Sequence, residues 1–297
     1  MERKRVIVTG GSGKAGRWII KEFLQRDYEV LNLDTKRPAE ELCPTLIIDL
    51  NDLGQVHSAL ANYNSRSGAP VAAVVHFAAI PQAYTHANDV TFRNNVMTTY
   101  NILEACANVN IRNVVLASSE SSYGMVFAKT FFHPKYVPVD EQHPQLPEDS
   151  YGLSKVVNEL TGETFHRRTG MQVVSFRLGN ILEPEDYARV MEGFQNPIDR
   201  KTILWSYIDA RDVAIACRLA VEKEGLGAQS IILAADDTSS DLPTEELMRR
   251  YLPEVTDIRM SLKGRPSLLC NEKAKQLLGW RQQYTWAEML DWVPGKG

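Results

Sequence analysis

The opening of the chain constrains it most. A short β-branched run, Arg5–Thr9, leads into Thr9-Gly10-Gly11-Ser12-Gly13-Lys14-Ala15-Gly16. The apolar spacing of Trp18, Ile19, Phe23 and Leu24 then predicts a helix over Lys14–Arg26. In such a turn, residues without side chains let the backbone come close to a pyrophosphate. The free N–H groups and partial positive charge of the following helix face that pyrophosphate. Gly10, Gly13 and Gly16 keep the spacing G-x-x-G-x-x-G, with Gly16 placed where helix and strand must pack closely. A glycine turn alone carries little weight; a strand before it and a helix after it give it meaning.

The alternation continues. Strands are predicted at Glu29–Asp34, Thr45–Asp49, Val71–Phe77, Asn113–Ser118 and Gln172–Leu178, and helices at Asp52–Asn62, Asn88–Asn108 and Tyr151–Arg168. The strands are almost continuous apolar runs, as in a parallel sheet covered on both faces. The expected fold is therefore α/β, a doubly wound, Rossmann-type parallel sheet. Gly124–Ser150 holds Pro134, Pro138, Pro144 and Pro147 and is expected to be a long irregular surface loop. Beyond Asn180 the pattern loosens. Helices are predicted at Tyr187–Glu192, Asp209–Lys223, Thr244–Tyr251, Asn271–Leu278 and Trp286–Trp292, and a strand at Ser230–Ala234. This divides the chain into a dinucleotide-binding part, 1–180, carrying the catalytic residues, and a small C-terminal substrate lobe, 181–297, with elements returning to the main sheet.

Asp34 ends the second predicted strand, 18 positions after Gly16. A carboxylate there accepts hydrogen bonds from the ribose hydroxyls of NAD and repels a 2′-phosphate. NAD is thus expected ahead of NADP, although the neighbouring Lys36 and Arg37 are able to counter a 2′-phosphate. Asp49, followed by Leu50, is a candidate for the adenine edge; a helix-capping role is the alternative.

Tyr151-Gly152-Leu153-Ser154-Lys155 places a phenol and an ammonium one turn apart on one helix face. The cation is expected to favour the phenolate and fit Tyr151 as a general base. The fifth strand runs into Ala117-Ser118-Ser119-Glu120, at the rim where such sheets bind ligands. Ser119 there is a candidate to hydrogen-bond the substrate oxygen, and a turn-capping serine is the plainer reading.

The remaining composition excludes several classes. With 33 basic and 37 acidic residues the net charge is −4, which argues against nucleic acid and anionic membrane surfaces as partners. Cys43, Cys106, Cys217 and Cys270 form no C-x-x-C pair, so no metal site is expected, and reduced thiols point to a cytoplasmic protein. The longest apolar run, Val71–Ile80, is too short to span a bilayer, and no signal peptide is visible.

With these residues in place, the chain resembles the extended short-chain dehydrogenase/reductase family, also called the NAD-dependent epimerase/dehydratase family. The likeness covers nearly the whole chain. It includes His76-Phe77-Ala78-Ala79, Asn95-Val96 with Asn101-Ile102-Leu103-Glu104-Ala105, and Arg177-Leu178-Gly179-Asn180. Tyr207-Ile208-Asp209-Ala210-Arg211-Asp212-Val213-Ala214 and Leu278-Gly279-Trp280 complete it. The resemblance implies Ser119, Tyr151 and Lys155 as the catalytic set. It implies cofactor contacts from Gly10, Gly13, Lys14, Ala15, Gly16, Asp34, Asp49, Leu50, Phe77, Ala78, Ala79, Asn95, Tyr151, Lys155 and Leu178, with Asn95 supporting the lysine. It also implies a sugar-like small-molecule substrate and a homodimer paired through Asn88–Asn108 and Tyr151–Arg168.

Two departures narrow the implied activity. Dehydratases of the family carry an acidic pair after the catalytic hydroxyl residue, whereas here Glu120 is followed by Ser121. The segment from Asn180 to Tyr207 is short and lacks the glycine-acid turn of sugar-nucleotide enzymes. A dehydrogenase acting on a free sugar, uronic acid or related polyol is expected, with a nucleotide-sugar 4-epimerase and a non-catalytic NAD(P)-binding sensor as alternatives. Arg177, Arg211 and Arg265 are possible anchors for a carboxylate or phosphate, with structural ion pairing as the plainer reading.

Overall fold

The computed structural model describes residues 3–65, 70–193 and 196–289. Nine strands and nine α-helices are seen among them. The strands are β1 (Arg5–Thr9), β2 (Glu29–Asp34), β3 (Thr45–Ile47), β4 (Val71–His76), β5 (Asn113–Ser119), β6 (Gln172–Leu178), β7 (Ile181–Leu182), β8 (Ile208–Asp209) and β9 (Ala228–Leu233). The helices are α1 (Lys14–Gln25), α2 (Leu53–Asn64), α3 (Asn88–Asn108), α4 (Ser150–Thr169), α5 (Tyr187–Glu192), α6 (Ala210–Glu222), α7 (Thr244–Tyr251), α8 (Glu272–Leu278) and α9 (Trp286–Met289).

Seven strands form one parallel sheet in the order β3-β2-β1-β4-β5-β6-β9. The chain starts in the middle, winds outward to β3, then returns to β4 on the other side of β1. The carboxyl ends of β1 and β4 therefore flank the point where winding reverses, the place at which such sheets leave a crevice. On one face, Ile19, Ile20 and Phe23 of α1 meet Val213, Cys217 and Ala220 of α6 over Val6, Val8 and Val75. On the other, Val56 and Leu60 of α2, Ile102 and Cys106 of α3 and Phe165 of α4 cover Ile7, Val74 and Val114. Burying a side chain such as Phe23 or Ile19 stabilises the fold by about 1.5–3 kcal/mol.

The third predicted strand is shorter than expected. β3 pairs only through Ile47, and the Ile48 N–H still reaches the Asp34 carbonyl. The Asp49 N–H donates instead to the Gln55 side chain, which takes Asp49 out of the ladder. α2 runs further than expected, to Asn64, with Asp52 as its cap accepting from the Gln55 N–H. The pairing of β7 with β8 has no counterpart in the sequence reading, since two residues on each side are too few to show a period. The predicted helix to Trp292 is described through Met289; its remainder lies outside the described residues.

The proline-rich segment is not wholly a surface loop. Val137 and Val139 are completely buried among Leu247, Leu268 and Leu269. The Val137 N–H donates to Asp257 O and the Val139 N–H to Leu268 O, so their backbone groups are satisfied as in a strand. The partners lie more than a hundred positions away, which is why local pattern missed them.

Candidate active site

The glycine turn and the exit of β4 pack backbone against backbone. Gly10 has φ +71°, and a Cβ there would lie 2.7 Å from the Ala78 nitrogen. A Cβ on Gly16 would lie 2.1 Å from the Gly10 carbonyl oxygen. Thr9 joins the two strand ends: its hydroxyl lies 2.7 Å from His76 Nδ1 and accepts the Ala78 N–H at 3.2 Å. Burial keeps the His76 imidazole neutral, pushing its pKa down to about 3, and the Lys155 ammonium acts in the same direction. Gly13 precedes α1 at its N-cap position and gives it no side-chain cap. Its first N–H groups are thereby left to a ligand.

A cleft of about 860 Å³ opens over this turn. Gly10, Gly13, Lys14, Ala15 and Gly16 border it, with Asp34, Asp49 and Leu50 at the same end. Phe77, Ala78 and Ala79 follow from the β4 exit, and Leu178 from the end of β6. The Asp34 carboxylate accepts from Ser12 N at 3.0 Å, Thr35 N at 2.7 Å and Lys36 N at 3.3 Å. Three backbone donors use most of its acceptor sites, so it anchors the turn as well as facing the cleft. Lys14 also reaches across to Asp186 at 2.5 Å, tying the first turn of α1 to the segment after β7. An uncapped helix start, a turn admitting only glycine and a strand-end carboxylate are what a dinucleotide needs.

Asn95 stands apart from this set. It is buried behind the cleft, accepting from Ile80 N at 2.9 Å and donating to Ile80 O at 3.0 Å and Ser154 Oγ at 3.3 Å. It orders the segment after β4 and the start of α4; neither a cofactor-facing nor a Lys155-supporting contact is seen.

Ser119, Tyr151 and Lys155 come together on the cleft wall. α4 starts at Ser150 because Asp149 caps it, accepting the Gly152 N–H at 2.7 Å. Tyr151 and Lys155 then share a face, and the Lys155 Nζ donates to Ala117 O at 2.7 Å. Ser119 ends β5; its hydroxyl accepts from Ser121 N at 3.1 Å. The electrostatics differ from expectation. Burial pushes the Tyr151 phenol up to about 12, and the Ser119 hydroxyl opposes this while Glu120 and Asp149 reinforce it. Burial also pushes the Lys155 ammonium down to about 8, against Glu159. Desolvation outweighs the pairing that the i, i+4 spacing suggests.

The arginines proposed as anchors are engaged elsewhere. Arg177 is buried, bonded to both oxygens of Glu159 and to the Tyr123 hydroxyl at 3.0 Å. Arg211 pairs with Asp209 at 2.8 Å and lies over the Tyr284 ring, and Arg265 lies over Trp286. Glu120, the first acid after Ser119, is a buried acid bordering the cleft. It accepts from the Ser206 hydroxyl and from Asn180 N, near Arg200, and burial pushes its pKa up to about 8. Its partner Ser206 is 86 positions away, beyond the reach of any local signal.

A model of the NAD dependent epimerase/dehydratase family matches residues 6–234. The chain belongs to this family. It is an NAD-dependent enzyme, and its doubly wound sheet is the family's fold. An L-arabinose 1-dehydrogenase (NAD(P)(+)) of Haloferax volcanii is 28% identical over 241 residues, 78% of this chain and 89% of that protein. A UDP-glucose 4-epimerase of Rhizobium leguminosarum bv. trifolii is 25% identical over 334 aligned positions, 98% of each chain. Among solved structures, a short-chain dehydrogenase/reductase superfamily protein from Agrobacterium tumefaciens with bound NAD superposes with a TM-score of 0.73. It shares 19% identity and covers 97% of this chain and 95% of its own. Among the described residues no group of His, Cys, Asp and Glu is disposed to hold a metal ion, and no helix is long and apolar enough to cross a membrane.

Proposed function

We propose that this enzyme is a dehydrogenase that oxidises an alcohol carbon of a sugar-like substrate: a free sugar, a uronic acid or a related polyol. The observation that carries the reading is the gathering of Ser119, Tyr151 and Lys155 on the wall of the cleft that also holds the glycine turn. NAD held by the Gly10–Gly16 turn and Asp34 would supply the acceptor for a hydride leaving the alcohol carbon. Ser119 hydrogen-bonds the substrate oxygen, and Tyr151 takes its proton. A phenol that burial holds near 12 needs positive charge close by to ionise, and Lys155 on the next turn supplies it. The arabinose dehydrogenase among the relatives and the short Asn180–Tyr207 segment support a free sugar over a sugar nucleotide.

A 4-epimerase on a sugar nucleotide is the second reading, favoured by the UDP-glucose 4-epimerase that aligns over almost the whole chain. It would use the same three residues without net NADH. Retention of both Tyr151 and Lys155 weighs against a sensor without catalysis. In the dehydrogenase reading, residues 1–180 hold the cofactor and 181–297 shape the substrate end. The four free cysteines accord with a cytoplasmic enzyme.

NADH absorbance over a panel of free aldoses, uronates, sugar phosphates and sugar nucleotides tests the proposal. Net NADH with a free aldose or uronate is expected. Tyr151→Phe should lower kcat by about 10²–10⁴ while NAD still binds. Interconversion of two sugar nucleotides with no net NADH from any sugar would overturn it.

A further inference from the structure

The segment between β4 and α3 holds a side chain that the proposed chemistry does not use. Tyr84 has φ +63°, a left-handed conformation that bulky residues rarely adopt. At 64% exposure it is the most exposed large hydrophobic side chain among the described residues. Backbone held this way costs free energy and gathers at ligand sites, where surrounding structure fixes it. Here the fixing partner is Phe127, in the segment after β5. The Tyr84 hydroxyl donates to Phe127 O at 3.3 Å, and the two rings meet edge-on with centroids 6.2 Å apart. Phe127 in turn meets Tyr151 edge-on at 6.1 Å. Three rings thus run from solvent to the catalytic phenol.

Phe127 borders the cleft, together with the apolar Val126, Ile80 and Pro81. The polar groups of Ser119, Ser121 and Asn180 border the same cleft. A cyclic sugar offers matching chemistry, with C–H groups across a ring face and hydroxyls around its edge. An open-chain polyol has no such face. Aromatic rings supply large, rigid apolar area and set their geometry by edge and face.

We infer that Phe127 is a specificity-determining residue that receives the C–H face of a cyclic sugar beside Tyr151, and that Tyr84 is the positioning residue that holds it there. The inference rests on the sugar dehydrogenase reading and deepens it, by selecting ring-closed substrates over their open-chain alditols. Tyr84 acts from outside the cleft, through its hydroxyl and its ring.

The test compares KM for the best cyclic sugar of the panel with KM for the alditol derived from it. Wild type is set against Phe127→Ala, Tyr84→Phe and Tyr84→Gly, with NAD affinity and Tm measured alongside. Phe127→Ala should erode the preference for the ring by about 10-fold, the weight of one aromatic contact. Tyr84→Phe, which keeps the ring and loses the hydroxyl, should erode it less. Tyr84→Gly relieves the left-handed backbone, so Tm should hold or rise while the preference still falls. That combination separates a positioning role from a structural one. An unchanged preference in Phe127→Ala and Tyr84→Gly overturns the inference and leaves the dehydrogenase reading standing if Tyr151→Phe is inactive. Undiminished turnover by Tyr151→Phe, or no sugar oxidation at all, removes both.

Discussion

The Lys155 Nζ stands 5.3 Å from the centre of the Tyr151 ring while donating to the Ala117 carbonyl at 2.7 Å. One cation therefore serves two partners, a strand end and a phenol. Burial holds Lys155 near 8, so its charge is present below that pH and lost above it. The Tyr151 phenol ionises more as pH rises, but with less help once Lys155 is neutral. For alcohol oxidation, kcat/KM should rise with pH up to about 8 and climb less steeply beyond it. In Lys155→Met the break should vanish, and kcat/KM should fall about tenfold or more, one pKa unit of lost phenolate. Steady-state pH profiles of the two proteins decide it.

Glu120 makes a stability prediction. Its folded pKa, about 8, lies above the ordinary carboxyl value of 4.5 because of burial, with Ser206, Arg200 and Asn180 opposing. The folded state thus binds the proton more tightly than the unfolded chain. That contribution is full below the unfolded value and is lost as pH rises toward 8. Glu120→Gln keeps shape and has nothing to ionise. Relative to wild type its Tm should improve steadily between about pH 5 and about pH 8 and then level off. A wild-type minus variant difference independent of pH would refute the assignment, and taking the difference removes the like-signed effect of buried Asp212.

Gly16→Ala should damage both fold and cofactor site. The added methyl lies 2.1 Å from the Gly10 carbonyl oxygen, a backbone atom that moves only if the turn moves. A destabilisation of about 1–3 kcal/mol is expected. NAD affinity should fall by at least about tenfold, since displaced N–H groups lose their ligand. Thermal melts with and without NAD measure both, and a ligand-induced rise in Tm equal to that of wild type would contradict the cradle.

Leu153 and Leu160 of α4 and Met97 and Tyr100 of α3 are exposed on the two helices that pack side by side. Apolar side chains grouped on one outer face are what a pairing surface provides. We expect a homodimer through these helices, and Leu160→Glu should shift sedimentation toward the monomer with the fold retained. Sedimentation of the unaltered protein as a monomer at micromolar concentration would rule it out.

Much of the site was legible because its parts are local. Tyr151 and Lys155 are one helical turn apart, and Gly10, Gly13 and Gly16 lie on one turn. Ser119 sits where an apolar strand ends. What escaped lies in partners beyond the reach of one turn or one strand. For Arg177 the sequence leaves an anion anchor and a structural ion pair both open, and the bond to Glu159 decides for the pair. Asn95, expected from the resemblance at the cofactor and beside the lysine, has its amide bonded to the Ile80 backbone. Tyr84 and Phe127 give no periodic signal, because both lie in irregular segments.

Periodicity, turn chemistry and spacing by themselves determined the strands of the main sheet and the helices between them, its parallel arrangement and the residue types able to do chemistry. These depend on neighbours within a turn or a strand, and such contacts are written in consecutive residues. Tertiary structure alone decided which charges survive burial, which arginines are engaged and which aromatic ring meets the phenol. Those outcomes depend on desolvation and on contacts between residues dozens of positions apart, and both come into being only when the chain closes on itself.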